Sequence, residues 1–169
     1  NGCNAGYTFY AQQMDKDVRD NAALIHVFSA GNSNGSNCGY GAGTQWGNVT
    51  GGHKQGKNVI ATANITSTDA IAPSSSRGPA ADGRIKPDVM AQGQSSVVAM
   101  PSGDIAVNSG TSFSGPIIAG MVASFWQALP NLTNARIVQL VKESSSRYNN
   151  PNVQFGYGIP NFQLALNTA

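Results

Sequence analysis

Apolar residues recur in two rhythms along this chain of 169 residues. Over 8–23, Phe9, Met14, Val18 and Ala22 fall at roughly helical spacing among polar neighbours, which predicts an amphipathic helix. Residues 24–28, Leu-Ile-His-Val-Phe, form a short apolar run that ends in Ser29-Ala30-Gly31-Asn32. That is the pattern of a buried strand followed by a turn. A second buried strand is predicted over 59–65, and shorter ones over 88–91, 97–100 and 105–108. The longest helix is predicted over 112–129. It is apolar nearly all round and is therefore expected to be buried. Its Pro116 is expected in the first turn, where a missing N–H costs nothing. Gly115, Ala119 and Ala123 recur every four residues and make a stripe of small side chains on which another backbone can pack closely. Another helix is expected to start after Thr133, an N-cap flanked by Leu132 and Ile137 as a hydrophobic staple. Its buried face would be Ile137, Val138, Leu140 and Val141, and a last short helix would begin near Asn161. Long Gly-, Asn- and Ser-rich loops fill 33–56 and 66–84. Strands apolar on both faces, alternating with helices, predict an α/β architecture: a mostly parallel sheet covered on two sides.

Composition narrows the class. Charged residues are only 11% of the chain and the net charge is +2, with Lys and Arg scattered, so a nucleic-acid partner is not indicated. The apolar stretch 117–129 is broken by Gly120, Ser124 and Gln127 and is shorter than the ~20 residues of a bilayer span, so no membrane role is indicated. Two cysteines, Cys3 and Cys38, make no zinc pattern. They would be free thiols in a cytosolic protein. In a secreted one they could pair, with a stabilisation of roughly 3–4 kcal/mol in the chain-entropy view. Sequons at Asn34, Asn48, Asn64 and Asn131 are nearly as many as chance provides in so Asn-rich a chain.

Two segments carry candidate chemistry. In Gly110-Thr111-Ser112-Phe113-Ser114-Gly115-Pro116, Ser112 stands between a strand and a helix. Free N–H groups and the helix dipole there can stabilise a developing oxyanion. Read locally, a Ser at this place is as well explained as an N-cap. Ser29-Ala30-Gly31-Asn32 ends a buried strand, where parallel sheets hold their ligands, and an Asn amide there can reach an oxyanion. Read locally, it is also a polar turn.

Taken together the two segments resemble the subtilase family of serine proteases. The first resembles the nucleophile motif and the second the oxyanion-hole motif. Ser75-Ser76-Arg77-Gly78-Pro79 and Asp82-Gly83-Arg84-Ile85-Lys86-Pro87-Asp88-Val89 resemble a stretch common between them, in the same order and at similar spacing. The resemblance implies a subtilisin-like three-layer fold, of which residues 1–169 are the C-terminal portion of one catalytic domain. It implies that Ser112 attacks a peptide carbonyl, while Asn32 and the Ser112 N–H hold the oxyanion. In subtilisin, loss of such an Asn costs about 10²–10³ in turnover, a magnitude that belongs to the family and not to this sequence. Ser29, Ala30 and Gly31 are expected to line a substrate pocket and pair with the substrate strand, with Thr111 supporting the site. A secreted or cell-surface location follows from the resemblance, and it favours a Cys3–Cys38 disulfide. No cofactor is required. Structural calcium is common in the family, and no residue here identifies a site for it.

Subtilases order the triad Asp, His, Ser along the chain. Neither earlier motif is present. His26 sits in an apolar strand, and His53 lacks the Gly-Thr that follows a subtilase histidine. The acid and base are therefore expected on an upstream segment or companion chain, and the 24–28 strand is expected to have an unpaired edge. The rival expectation is a non-catalytic subtilase-fold module that binds peptides or scaffolds other domains. Residues 51–58 approach a phosphate-loop pattern but end in Asn and precede a strand, so they read as a surface turn. The Ser112 segment is not the α/β-hydrolase elbow, because Ser114 stands where that motif needs Gly. Asp82, Asp88 and Asp104 lie in separate turns without calcium-loop spacing.

Overall fold

The computed structural model describes residues 6–33, 36–38, 47–49 and 52–169. Its centre is a parallel sheet of β1 (Val27–Ser29), β2 (Ile60–Ile65) and β3 (Val89–Gln92), in the order β1-β2-β3. The register pairs Phe28 with Ala61 and Ala63 with Met90. All six residues of β2 are buried, as an apolar run between two covering layers requires.

The long helix α2 (Thr111–Ala128) lies along one face of this sheet. Ile60, Val89 and Ala91 from the strands meet Ile118, Val122 and Phe125 of α2. The same core takes Ile137, Leu140 and Val141 from α3 (Asn134–Glu143) and Ala165 from α4 (Phe162–Asn167). The other face is covered piecewise. Ala30 and Ala61 pack with Val49, and Ala63, Ile65 and Met90 with Ile71, Phe155 and Ile159. Phe28 stacks on His53 of a 3-10 helix (Gly52–Gln55), and His53 in turn meets Tyr10 of α1 (Phe9–Asp20).

Polar side chains fix the connections. Asp15 of α1 accepts from the backbone N–H groups of Lys57 and Asn58 at 2.8 and 2.7 Å, which anchors the approach to β2. Asn134 donates to the carbonyls of Val18, Asn21 and Leu24, tying the start of α3 to the chain between α1 and β1. Thr133 caps α3 as expected, accepting from the Arg136 N–H.

Three expectations change. The strands over 97–100 and 105–108 do not join the parallel sheet. They are β4 (Ser96–Ala99) and β5 (Ile105–Asn108), an antiparallel hairpin of their own. A four-residue turn with Gly103 at φ +90° is short enough to reverse the chain locally. Helix α2 begins at Thr111, so Pro116 lies inside it and not in its first turn. Its ring removes the N–H that would have reached the Ser112 carbonyl. Nor is α2 buried all round: Ser114, Gly115, Ile118, Val122 and Phe125 are covered, but Ile117 and Met121 are 47% and 43% exposed. The sheet, α3 and α4 pack against it, together with loop residues such as Leu132. The edge of β1 away from β2 carries no strand among the described residues, as the sequence anticipates. Beside that edge, Leu24, Val27, Ala119, Ala123 and Trp126 line an open groove of about 450 Å³.

Candidate active site

Asn32 follows β1 and Ser112 opens α2, so the sheet end and the helix start set their relation. The carbonyl Oδ1 of Asn32 accepts from the Thr111 backbone N–H at 2.9 Å and from the Thr111 hydroxyl at 3.1 Å. A backbone N–H can only donate, so these bonds fix which way the amide faces. Its Nδ2 is left as an uncommitted donor, close enough to the nucleophile loop that a Cβ on Gly110 would lie 3.3 Å from it. Gly110 has φ +155° and no side chain, which permits that approach.

Thr111 is the hinge of this arrangement. Its Oγ1 also accepts from the Gly31 N–H at 3.2 Å, so one hydroxyl binds both residues of the Gly31-Asn32 turn. The turn is held from its other side by Ser76, whose N–H donates to the Gly31 carbonyl at 2.8 Å. The Ser76 Oγ accepts from the Ser33 N–H at 3.1 Å. This explains Ser76 of the intermediate motif, which braces the Asn32 turn.

Ser112 is exposed, and its hydroxyl takes part in no hydrogen bond among the described residues. Its N–H lies in the first turn of α2, where helical geometry provides no carbonyl. Among the described residues Asn32 Nδ2, the Ser112 N–H and the Ser112 hydroxyl have no partner; the first adjoins Gly110, and the other two open a helix of 18 residues at its positive end. This combination can stabilise negative charge developing on an oxygen next to the Ser112 hydroxyl.

The other expected residues divide. Ser29 and Gly31 are half-buried beside the site, and Gly115 of α2 packs against the Ser29 backbone. Ala30 is fully buried against Val49 and Ala61, because alternate residues of an extended chain face opposite sides of the sheet. The backbone N–H and C=O of Gly31 already serve Thr111 and Ser76, so a substrate strand would have to compete for them. Thr111 is 1% exposed and acts by holding Asn32, not as a substrate-facing wall. His26 and His53 both join the aromatic strip around Phe28. Cys38 is disulfide-bonded, and Cys3 lies outside the described residues. Among the described residues no cluster of His, Cys, Asp or Glu could hold a metal ion.

The Lys86-Pro87-Asp88 part of the motif builds a second, buried polar centre. Asp88 binds Lys86 Nζ through Oδ2, which also accepts from the Ala61 N–H at 2.8 Å. Its Oδ1 meets Lys142 Nζ of α3 at 2.9 Å. Burial acts to raise the Asp88 carboxyl, but the two ammonium groups and the Ala61 N–H hold it below the usual range. Burial lowers Lys86 despite its partner. At the less enclosed Lys142 burial is outweighed by Asp88, and the group is raised. One missed residue is legible only in three dimensions: Asn64, a fully buried amide in the middle of β2.

Comparison with known proteins bears on family and fold. The subtilase family matches over residues 1–158. The chain is 32% identical over 108 residues to subtilisin-like protease SBT6.1 of Arabidopsis thaliana, covering 57% of this chain and 10% of that protein. It is 30% identical over 115 residues to the serine protease AprX of Bacillus subtilis (strain 168), covering 58% and 26% respectively. It therefore spans about a tenth and a quarter of these relatives' lengths. Among solved structures, the self-cleaved protease domain of PatA superposes with a TM-score of 0.71 at 19% identity, covering 99% of this chain and 57% of that one. The prenylagaramide maturation protease PagA gives 0.67 at 18% identity, covering 92% and 52%. These neighbours share the subtilisin-like fold, and with the family match over almost its whole length the chain belongs to the subtilase family.

Proposed function

We propose that this chain supplies the nucleophile and oxyanion hole of a serine endopeptidase. Ser112 Oγ attacks the peptide carbonyl carbon, and its proton passes to a base outside this chain. The carbonyl oxygen becomes an oxyanion that accepts from Asn32 Nδ2 and the Ser112 N–H. Collapse expels the amine and leaves an acyl group on Ser112, which water then removes. The observation that carries this reading is the fixed Asn32 amide. Thr111 holds its oxygen and leaves its N–H₂ without a partner among the described residues, at the loop that leads into Ser112.

The acid and base come from an upstream segment of the same protease or from a companion chain. The open edge of β1, the apolar groove beside it and the uncovered face of α2 support such a partner. Exposed strand edges and contiguous apolar surface are ordinarily covered in native proteins. A stable, monodisperse monomer of this chain purified without any partner would count against it. The substrate is a polypeptide. The disulfide at Cys38 supports a secreted or cell-surface setting, where oxidising conditions preserve such bonds.

A fluorophosphonate probe applied to the protease assembled with its upstream segment tests the reading. Labelling at Ser112 that Ser112→Ala abolishes is the expected result. No labelling in the assembled protein would favour a non-catalytic peptide-binding module.

A further inference from the structure

Within β2 the even-numbered side chains face α2, as Ile60 shows by packing with Ile118 and Val122. Asn64 shares that face and is fully buried in a strand otherwise built of Ile, Ala and Thr. Its Oδ1 accepts from the Gly93 N–H at 2.7 Å. The Gly93 carbonyl in turn accepts from the Gly110 N–H at 3.0 Å. Gly110 precedes Thr111, whose N–H holds Asn32, and Ser112 comes next. Space at this junction is closed: a Cβ on Gly93 would lie 2.5 Å from the Gly110 oxygen and 2.9 Å from both Asn64 Oδ1 and the Ser114 nitrogen. The junction therefore has little freedom to relax around an altered Asn64.

We infer that Asn64 is a positioning residue for the nucleophile loop: its side-chain oxygen fixes Gly93, which fixes Gly110 and so the place of Ser112 relative to Asn32. The inference rests on the proteolytic reading of Ser112. The amide Nδ2 of Asn64 has no partner among the described residues, so its oxygen is the atom that acts. An apolar side chain would suit the buried strand better, since an unpartnered amide N–H₂ is unfavourable there. The oxygen gives the position a reason to be Asn.

The test compares variants in the assembled protease, reading kcat and KM on a peptide substrate and the rate of fluorophosphonate labelling at Ser112. Asn64→Leu keeps the shape and removes the acceptor. It is expected to lower kcat and the labelling rate together, by on the order of 10-fold or more, with KM within about twofold, since misplacement of reacting groups acts on the chemical step. Asn64→Asp keeps the acceptor oxygen and puts a second carboxyl oxygen, a buried acid, in place of the unpartnered N–H₂. It is expected to restore most of both rates. Thr133→Ala removes the N-cap of α3, outside the relay, and is expected to lower stability while leaving kcat unchanged. If Asn64→Leu does not fold, Asn64→Ser, too short to reach Gly93, carries the same expectation. Wild-type rates in the acceptor-less variant, or equal losses in Asn64→Leu, Asn64→Asp and Thr133→Ala, would overturn the inference and leave the proteolytic reading intact. An unlabelled wild-type protease would overturn that reading first.

Discussion

The two faces of α2 are built from the same kinds of residue and live in different surroundings. Ile118, Val122 and Phe125 lie against the sheet with at most 3% exposure, while Ile117 and Met121 face outward with 47% and 43%. An amphipathic helix would carry charge on its outer face. This one carries Ile117, Ala119, Met121 and Ala123 and no charged residue at all. The open edge of β1 runs beside this outward face. Stability of this chain resides on the covered face, whereas the proposed association with a partner would use the open one.

The largest expected effect belongs to the covered face. Phe125→Ala removes a ring packed against Phe162, at a centroid distance of 5.9 Å, and should destabilise by about 3–5 kcal/mol in urea denaturation. A loss below about 1 kcal/mol would show that this core is not the stabilising one. A comparable effect is expected where α3 is tied to the sheet. Asp88→Ala leaves Lys86 buried without its counter-charge and should cost about 3–5 kcal/mol in the same measurement.

Asp88 also sets an acid limit. Its folded pKa lies below the ordinary value, so its contribution is complete above the unfolded pKa of about 4 and fades as pH falls through the folded value. Denaturation midpoints should therefore fall with decreasing pH below about 4, and less steeply in Asp88→Asn. A weaker effect is expected at the start of α3, where Thr133→Ala removes a cap worth about 1 kcal/mol. The smallest belongs to the open face. Met121→Ser should change the stability of the chain by less than about 0.5 kcal/mol. The same substitution should weaken association with the upstream segment in a binding titration. A stability loss as large as that of Phe125→Ala, with unchanged association, would erase the distinction between the faces.

Some of this was readable in the linear order. The apolar run at 59–65 became β2, and Thr133 became a cap, because both depend on near neighbours. Ser112 and Asn32 stood out as candidates because their motifs place a Ser at a helix start and an Asn at a strand end, where the structure has them. Other features were hidden. The outward exposure of α2 was not legible, since an all-round apolar helix reads as buried whichever partner covers it. Thr111 was expected to support the site, but not by which contact: it orients Asn32 through a bond between positions 79 residues apart. Asn64 gave only the faint signal of an amide in an apolar strand.

By itself the sequence determined most of the elements, the parallel α/β class and the motifs that single out Ser112 and Asn32 as candidates. These follow from periodicity, caps and short motifs, which act over a few residues. Only the tertiary structure decided that the β4–β5 hairpin stands apart from the sheet, that Ser76 braces the Asn32 turn, and that Gly93 links Asn64 to Gly110. The reason is directional: hydrogen bonds between residues distant in sequence depend on where the chain returns in space, and no local pattern of side chains encodes that return.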